Sequence, residues 1–154
     1  MAGYAGRAGA SSLARSSADV LKRELPEGVL SAAKKMGPYL QIPDSVPLLA
    51  RERLGKGGVL RGLWILGEKL QCGFDVDLRS ILLKQEDVEV CELLGADIYR
   101  IDASGGWLVA SGKAEDALRI FRKENIPASV IGICRAGLQR QLRLGDDIRF
   151  LEEP

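Results

Sequence analysis

The hydrophobic pattern of the chain changes its period several times, which predicts helices and strands in alternation. Apolar residues recur every three or four positions in some segments and every second position in others. The predicted helices are 10–25, 27–35, 57–70, 85–94 and 114–124. The predicted strands are 74–78, 107–110, 129–134, 140–144 and 148–151.

Glycine and proline mark where these elements end. Pro26 ends the first helix, Gly95 follows the helix 85–94 as its C-cap, and Gly145 opens the turn of a closing hairpin. Residues 38–55 hold three prolines and have the weakest pattern. A short helix over 45–53 is the expectation for the later part of this segment.

The order of these elements predicts the fold class. Strands and helices interleave, and a β-α-β unit covers residues 107–134. This arrangement predicts an α+β fold, in which a mixed β-sheet packs against helices. A length of 154 residues suits one domain, so we expect residues 1–154 to form a single unit.

Charge and hydropathy argue against nucleic acid and membrane partners. Lysine and arginine total 22 and aspartate and glutamate total 21, so the net charge is only +1. The longest apolar run, Leu63–Leu66, is far shorter than the ~20 residues of a membrane span. With no apolar leader after Met1, we expect a cytoplasmic protein.

The absence of histidine removes much catalytic chemistry. Ser-His-Asp and Cys-His pairs, histidine bases and histidine metal ligands are all excluded within this chain. Cys72, Cys91 and Cys134 are odd in number and contain no CxxC, so neither a disulfide framework nor a zinc site is expected. We interpret them as small buried apolar side chains, with a reactive thiol as the alternative.

Two glycine-rich segments precede helices and are candidate anion sites. Gly6 and Gly9 belong to the first segment, and Lys56, Gly57 and Gly58 to the second. Free N–H groups at a helix N-terminus favour an anion, and Arg7 and Lys56 are placed to add positive charge at the first and second segments. The alternative is that these glycines serve tight turns and close helix packing, because neither segment matches a phosphate-loop or dinucleotide-binding motif.

A pair of carboxylates is the remaining candidate for acid–base or metal chemistry. Asp75 and Asp77 lie on one face of the strand 74–78, about 6.6 Å apart at ~3.3 Å per residue. Such a pair is able to hold Mg²⁺ or to transfer protons. The simpler interpretation is that both aspartates face water while Phe74 and Val76 face the core.

Several segments together resemble one family. Residues 57–94 begin GGVLRGLWILG and run into the CELL of the next helix, residues 113–134 begin KAEDALRIF, and the chain opens with GYAGRAGASSLAR. In this order they resemble the carboxy-terminal domain of the aminoimidazole ribonucleotide (AIR) synthetase (PurM)-related superfamily. The most similar branch is the hydrogenase expression/formation (HypE-type) maturation proteins.

This resemblance implies an AIR-synthase C-terminal-domain-like fold, partly ferredoxin-like, for residues 1–154. In the family an amino-terminal domain, absent from this chain, supplies most contacts to ATP and Mg²⁺ and the dimer interface. The carboxy-terminal domain shapes the substrate side of the cleft. HypE-type members act on a carbamoyl thioester during assembly of the cyanide ligands of nickel–iron hydrogenases.

One departure from the family pattern bears on catalysis. The family places a His-Asp or Arg-Asp pair shortly before its Gly-Gly, whereas residues 51–56 read RERLGK. We therefore expect no catalytic residue, metal or cofactor in this chain alone, with ATP and Mg²⁺ bound only by the complete enzyme. The sequence leaves open whether the chain is part of an enzyme.

Two functions follow from the resemblance. The first is a substrate-side domain linked to hydrogenase maturation, inactive alone, whose partner is an ATP-binding domain or another protein; a homodimer is a further expectation. The second is a degenerate, non-catalytic module that binds a protein or a small molecule.

Overall fold

The computed structural model describes residues 1–154 and contains six α-helices and six β-strands. The helices are α1 (Arg7–Ser16), α2 (Ala18–Leu21), α3 (Glu27–Lys34), α4 (Gly58–Leu70), α5 (Gln85–Leu94) and α6 (Ala114–Lys123). The strands are β1 (Ala50–Arg53), β2 (Gly73–Asp77), β3 (Trp107–Ala110), β4 (Gly132–Arg135), β5 (Arg140–Leu144) and β6 (Asp147–Phe150).

The strands form two sheets. β1 and β3 make a two-stranded antiparallel sheet, and the other sheet has the order β4-β2-β5-β6. In the larger sheet β2 runs parallel to β5, while the two remaining pairs are antiparallel. The predicted α+β class with a mixed sheet is therefore confirmed. The β-α-β unit differs from expectation, because its strands β3 and β4 belong to different sheets.

The predicted short helix over 45–53 is wrong. Residues 50–53 form the strand β1, whose side chains alternate between half-buried and exposed positions. The strand forms because β3 lies alongside it, with Ala50 opposite Ala110 and Arg53 opposite Trp107. A pairing across more than 50 residues leaves no mark on the local pattern.

Local sequence signals predicted where most of the other helices and strands begin and end. Pro26 separates α3 from the preceding residues, and Gly95 follows α5 in a left-handed conformation with φ of 65°, as expected of a C-cap. The first predicted helix is divided at Ser17 into α1 and α2. The predicted strand 129–134 begins only at Gly132.

The main hydrophobic core lies between α4 and both sheets. Leu60 and Leu63 of α4 pack there with Phe74 and Val76 of β2 and with Leu108 of β3. A second cluster joins α1, α3 and α5 through small and aliphatic side chains. A smaller cluster of Ala10, Cys91 and Ile98 places the loop between α5 and β3 against the start of α1, where the first glycine-rich segment lies.

Candidate functional site

The glycines at the start of α1 are packed against the protein itself. A Cβ atom on Gly6 would lie 2.6 Å from the carbonyl oxygen of Ile98, and one on Gly9 would lie 2.8 Å from the amide nitrogen of Asp102. The Gly9 N–H donates to the Asp102 carbonyl at 2.8 Å. These contacts support close packing as the role of both glycines, and anion binding at Gly6 and Gly9 stays a prediction.

The start of α4 contacts the same loop from its other side. Gly58 has a left-handed φ of 67°, and a Cβ atom there would clash with the carbonyl oxygens of Tyr99 and Ile101. The Leu60 N–H donates to the Tyr99 carbonyl at 3.2 Å. The loop 97–102 therefore lies between the two glycine-rich segments, a juxtaposition that only the tertiary structure reveals.

A basic cleft lies between the end of β1 and the first two turns of α4. It has a volume of about 270 Å³ and includes Lys56 and Gly58 of the predicted site. Arg53 and Arg61 line it as well, and neither was among the residues predicted from the sequence. Arg61 lies one helical turn into α4, so the predicted helix 57–70 was sufficient to find it. Arg53 lies at the end of β1 and was missed because this segment was expected to be a helix. Gly57 precedes the cleft and packs against the Arg61 side chain.

The cleft carries uncompensated positive charge. Arg53, Lys56 and Arg61 form no ion pair, while Glu52, the only carboxylate that lines the cleft, pairs with Lys69. The guanidinium of Arg53 lies 4.9 Å from the centre of the Trp107 ring, on the face of β1 opposite the one where Glu52 meets Lys69 of α4. Lys56 and Arg61 beside a helix N-terminus therefore give this cleft the electrostatics of an anion site.

Arg7 has a different role from the positive charge expected beside the first glycine segment. Its guanidinium pairs with Asp87 of α5 and donates to the Ala32 carbonyl of α3 at 2.7 Å. The Asp87 side chain is fully buried, and burial raises its pKa to about 6 although Arg7 acts in the opposite direction. Arg7 thus ties three helices together, and its guanidinium is engaged within the protein.

The carboxylates of Asp75 and Asp77 both accept hydrogen bonds from other residues of the chain. Asp75 accepts a hydrogen bond from Arg135 Nε of β4 at 2.6 Å, and Asp77 accepts one from the Arg79 N–H at 3.0 Å. Phe74 and Val76 are buried on the opposite face. The burial of Phe74 and Val76 agrees with the simpler interpretation, in which the aspartates lie on the solvent side of the strand. The chain contains no group of three or more carboxylates or thiols suited to a metal.

The three cysteines occupy different environments. Cys91 is buried as predicted, and burial raises the pKa of its thiol to about 11. Cys72 is half-buried, and the prediction is wrong for Cys134, which is exposed on the edge strand β4.

No helix is long and apolar enough to cross a membrane.

Comparison with solved structures identifies the fold. Comparison with protein-family models and with curated proteins gave no match. The hydrogenase maturation protein HypE of E. coli superimposes on 87% of this chain with a TM-score of 0.64 and 20% identity, and the match covers 44% of HypE. A chain of the HypE–HypF complex gives a TM-score of 0.59 at 19% identity over 68% of this chain and 36% of its own.

A second protein has a similar fold over a smaller share of its length. T. maritima PurL complexed with ATP gives a TM-score of 0.56 at 22% identity, over 79% of this chain and 19% of PurL. The chain therefore has the PurM-like fold of HypE and PurL, as the sequence resemblance implied. It spans less than half the length of the HypE structures that it matches.

Proposed function

We propose that this chain is the substrate-side domain of an ATP-dependent, HypE-like protein and acts only together with an ATP-binding half. The observation that carries the proposal is the basic cleft at the start of α4, where Lys56 and Arg61 form no ion pair and the one carboxylate, Glu52, is paired with Lys69. The fold and the partial coverage of HypE support it. The cleft would bind the anionic part of a substrate, phosphate or carboxylate, through the side chains of Lys56 and Arg61.

The chemistry of the cleft supports dependence on a partner. Its single carboxylate, Glu52, is held by Lys69, and histidine is absent, so the cleft offers no free general acid or base. The cations bind and orient an anion, whereas proton transfer and Mg²⁺ coordination require groups from elsewhere. Supply of those groups by the ATP-binding half is part of the proposal, as is a role in hydrogenase maturation.

Isothermal titration of the chain with ATP and Mg²⁺, then with a carbamoylated peptide, tests the proposal. The titrations are run with and without the ATP-binding domain of a HypE protein. Heat at a fixed stoichiometry is expected only in the combined sample. ATP binding by this chain alone would contradict the proposal, and so would a combined sample that remains silent.

Matched variants locate the anion. Lys56→Ala and Arg61→Ala are each expected to weaken binding in the combined sample about tenfold, the effect of losing one charged contact of about 1.4 kcal/mol. Lys123→Ala, which removes an exposed lysine from the end of α6, serves as the control and is expected to have no effect. Equal affinity of all three variants would place the anion outside the cleft.

The same lack of a free acid or base favours a second candidate, a non-catalytic binding module. In that case the combined sample binds ligand but forms no product from ATP and the carbamoylated peptide. Product formation that depends on Lys56 or Arg61 would rule out the second candidate.

A further inference from the structure

The strand β6 lies at one end of the larger sheet and has an unpaired edge. The sheet order is β4-β2-β5-β6, and all four residues of Asp147–Phe150 are exposed. The backbone groups of such an edge are a template for a further strand. β6 also carries two large apolar side chains, Ile148 and Phe150, which are 52% and 57% exposed. The edge is therefore both unpaired and apolar on one face.

The hydrogen bonds of the hairpin identify which backbone groups face outward. β6 pairs with β5 in an antiparallel ladder. The Leu151 N–H donates to the Arg140 carbonyl at 2.7 Å, so these two residues form a hydrogen-bonded pair. Hydrogen-bonded pairs alternate along a ladder with pairs whose backbone groups point away from each other. By this alternation Arg149 bonds to β5, and the backbone groups of Ile148 and Phe150 face the edge.

The other face of β6 carries one acidic and one basic side chain. Asp147 and Arg149 are two residues apart and therefore share a face of the strand. Arg149 Nη2 lies 2.8 Å from Asp147 Oδ2, and both side chains are more than half exposed. Neither side chain forms an ion pair with any other residue. Both charges are thus accessible to a partner at the edge.

The order acidic, apolar, basic is complementary to itself when two copies of β6 run antiparallel. With Ile148 opposite Ile148 of a second copy, Asp147 lies opposite Arg149 of that copy, and two-fold symmetry supplies the reverse pair. These flanking positions are non-hydrogen-bonded pairs, in which side chains approach each other most closely. Opposite charges at directly opposed positions stabilise a strand pair. Two ion pairs would therefore flank the central isoleucines.

The neighbouring registers place like charges together. Sliding the second strand by two residues keeps the ladder in phase but sets Arg149 against Arg149 of the second copy. Sliding it by two residues in the other direction sets Asp147 against Asp147. Like charges in directly opposed positions destabilise a strand pair. Charges on an edge strand commonly prevent association, whereas the pattern of β6 disfavours these two registers and favours the one centred on Ile148.

We propose that β6 pairs with β6 of a second copy of this chain, antiparallel and centred on Ile148, which joins two four-stranded sheets into one. The Ile148 N–H of each copy donates to the Ile148 carbonyl of the other, and Phe150 reaches the second Ile148 diagonally. One short strand per chain buries less than the ~1,200 Å² of a stable complex, so we expect a dissociation constant of about 10⁻⁴ M. The inference does not rest on the proposed function, since no residue of β6 lines the basic cleft.

Sedimentation velocity of the native chain between about 10 μM and about 1 mM tests the association. The average mass is expected to rise from 16.7 kDa, the mass of one chain, towards twice that value. The Ile148 amide is expected to exchange hydrogen about fourfold more slowly at the higher concentration, while the Arg149 amide, which already bonds to β5, is expected to be unchanged. A chain that stays monomeric at about 1 mM, or a dimer that leaves Ile148 unprotected, would overturn the proposal.

Charge reversal tests the register. Asp147→Arg and Arg149→Asp each set like charges opposite each other at two positions, so each variant alone is expected to associate at least about tenfold more weakly than the native chain. An equimolar mixture is expected to regain native association, because each arginine of one variant then meets an aspartate of the other. Native association of either variant alone would place the interface elsewhere. A mixture that stays monomeric would refute this register, and either result overturns the proposal.

The matched control reverses an ion pair of the same kind on α6. Asp116 and Arg119 lie 3.2 Å apart and have nearly the same exposure as the charged pair of β6. Asp116→Arg and Arg119→Asp, alone or mixed, are expected to associate as the native chain does. If they reproduce the behaviour of the β6 variants, general charge attraction accounts for the association and the proposal fails. All four variants leave the basic cleft unchanged, so failure here leaves the proposed function standing.

Discussion

The guanidinium of Arg7, at the start of α1, pairs with the carboxylate of Asp87 in α5, 80 residues further along the chain. The Asp87 side chain has no solvent exposure and that of Arg7 has 13%. One oxygen of Asp87, Oδ2, has no hydrogen-bond partner. Removing either member of such a buried ion pair leaves an uncompensated charge in the protein interior, so the stability of the fold depends on both residues.

Arg7→Met is expected to lower the free energy of unfolding by about 3 kcal/mol at pH 7, because it leaves the Asp87 carboxylate buried without its cation. Urea denaturation measures the change. Arg15→Met is the control: Arg15 lies on the same helix, is exposed, and donates only to the Lys34 carbonyl. A loss for Arg7→Met no larger than that for Arg15→Met would show that the buried pair contributes little.

Asp87 is expected to make stability depend on pH. Burial raises its pKa from 3.8 in the unfolded chain to about 6 in the folded protein, so the folded state holds the proton more tightly. This contribution is fully present below pH 4 and is lost as the pH rises to about 6. A shift of about 2 units corresponds to about 3 kcal/mol.

The measurement is urea denaturation of the native chain and of Asp87→Asn between pH 4 and pH 7. The stability of the native chain relative to Asp87→Asn is expected to fall by about 2 kcal/mol over this interval, most of the full contribution. A constant difference would mean that Asp87 titrates normally. Asp19→Asn, at a fully solvated side chain, is expected to show no such trend.

Gly58→Ala is expected to destabilise the protein by about 3 kcal/mol or more, because alanine disfavours its positive φ and its Cβ would clash with two carbonyls of the loop 97–102. Gly28→Ala provides the opposite case. Gly28 lies in α3 with no atom within 4 Å of an added Cβ, so the substitution is expected to stabilise by about 0.5–1 kcal/mol. Thermal unfolding of both variants checks the two signs, and a mild Gly58→Ala would contradict the observed packing.

Gln71→Gly is expected to stabilise the protein by about 0.5–1 kcal/mol. Gln71 ends α4 in a left-handed conformation with φ of 50°, which glycine adopts without the steric cost of a Cβ. The same change at Gln85, the first residue of α5, is expected to be destabilising because its conformation is helical. Chemical denaturation of both variants gives the comparison, and stabilisation by Gln85→Gly would contradict this reasoning.

Sequence patterns predicted the elements whose signals are local. The stripe of leucines from Leu60 to Leu70 and the alternation from Phe74 to Asp77 depend on neighbouring residues, and both elements were found. The strand β1 was missed because its partner β3 is distant and its own four residues, Ala50–Arg53, have no β-rich composition. At the candidate site, Lys56 and Gly58 were predicted, Arg61 was overlooked on the predicted helix, and Arg53 was missed along with β1.

The amino-acid sequence by itself determined the helices, most strands and their ends, because periodicity, glycine and proline act over a few residues. Through its resemblance it also indicated the fold. Only the tertiary structure decided which distant segments meet. It brought the loop 97–102 between Gly9 and Gly58, paired Arg7 with Asp87, and placed β6 at the edge of the larger sheet. Such pairings depend on how whole elements pack around a shared core, and no local pattern specifies them.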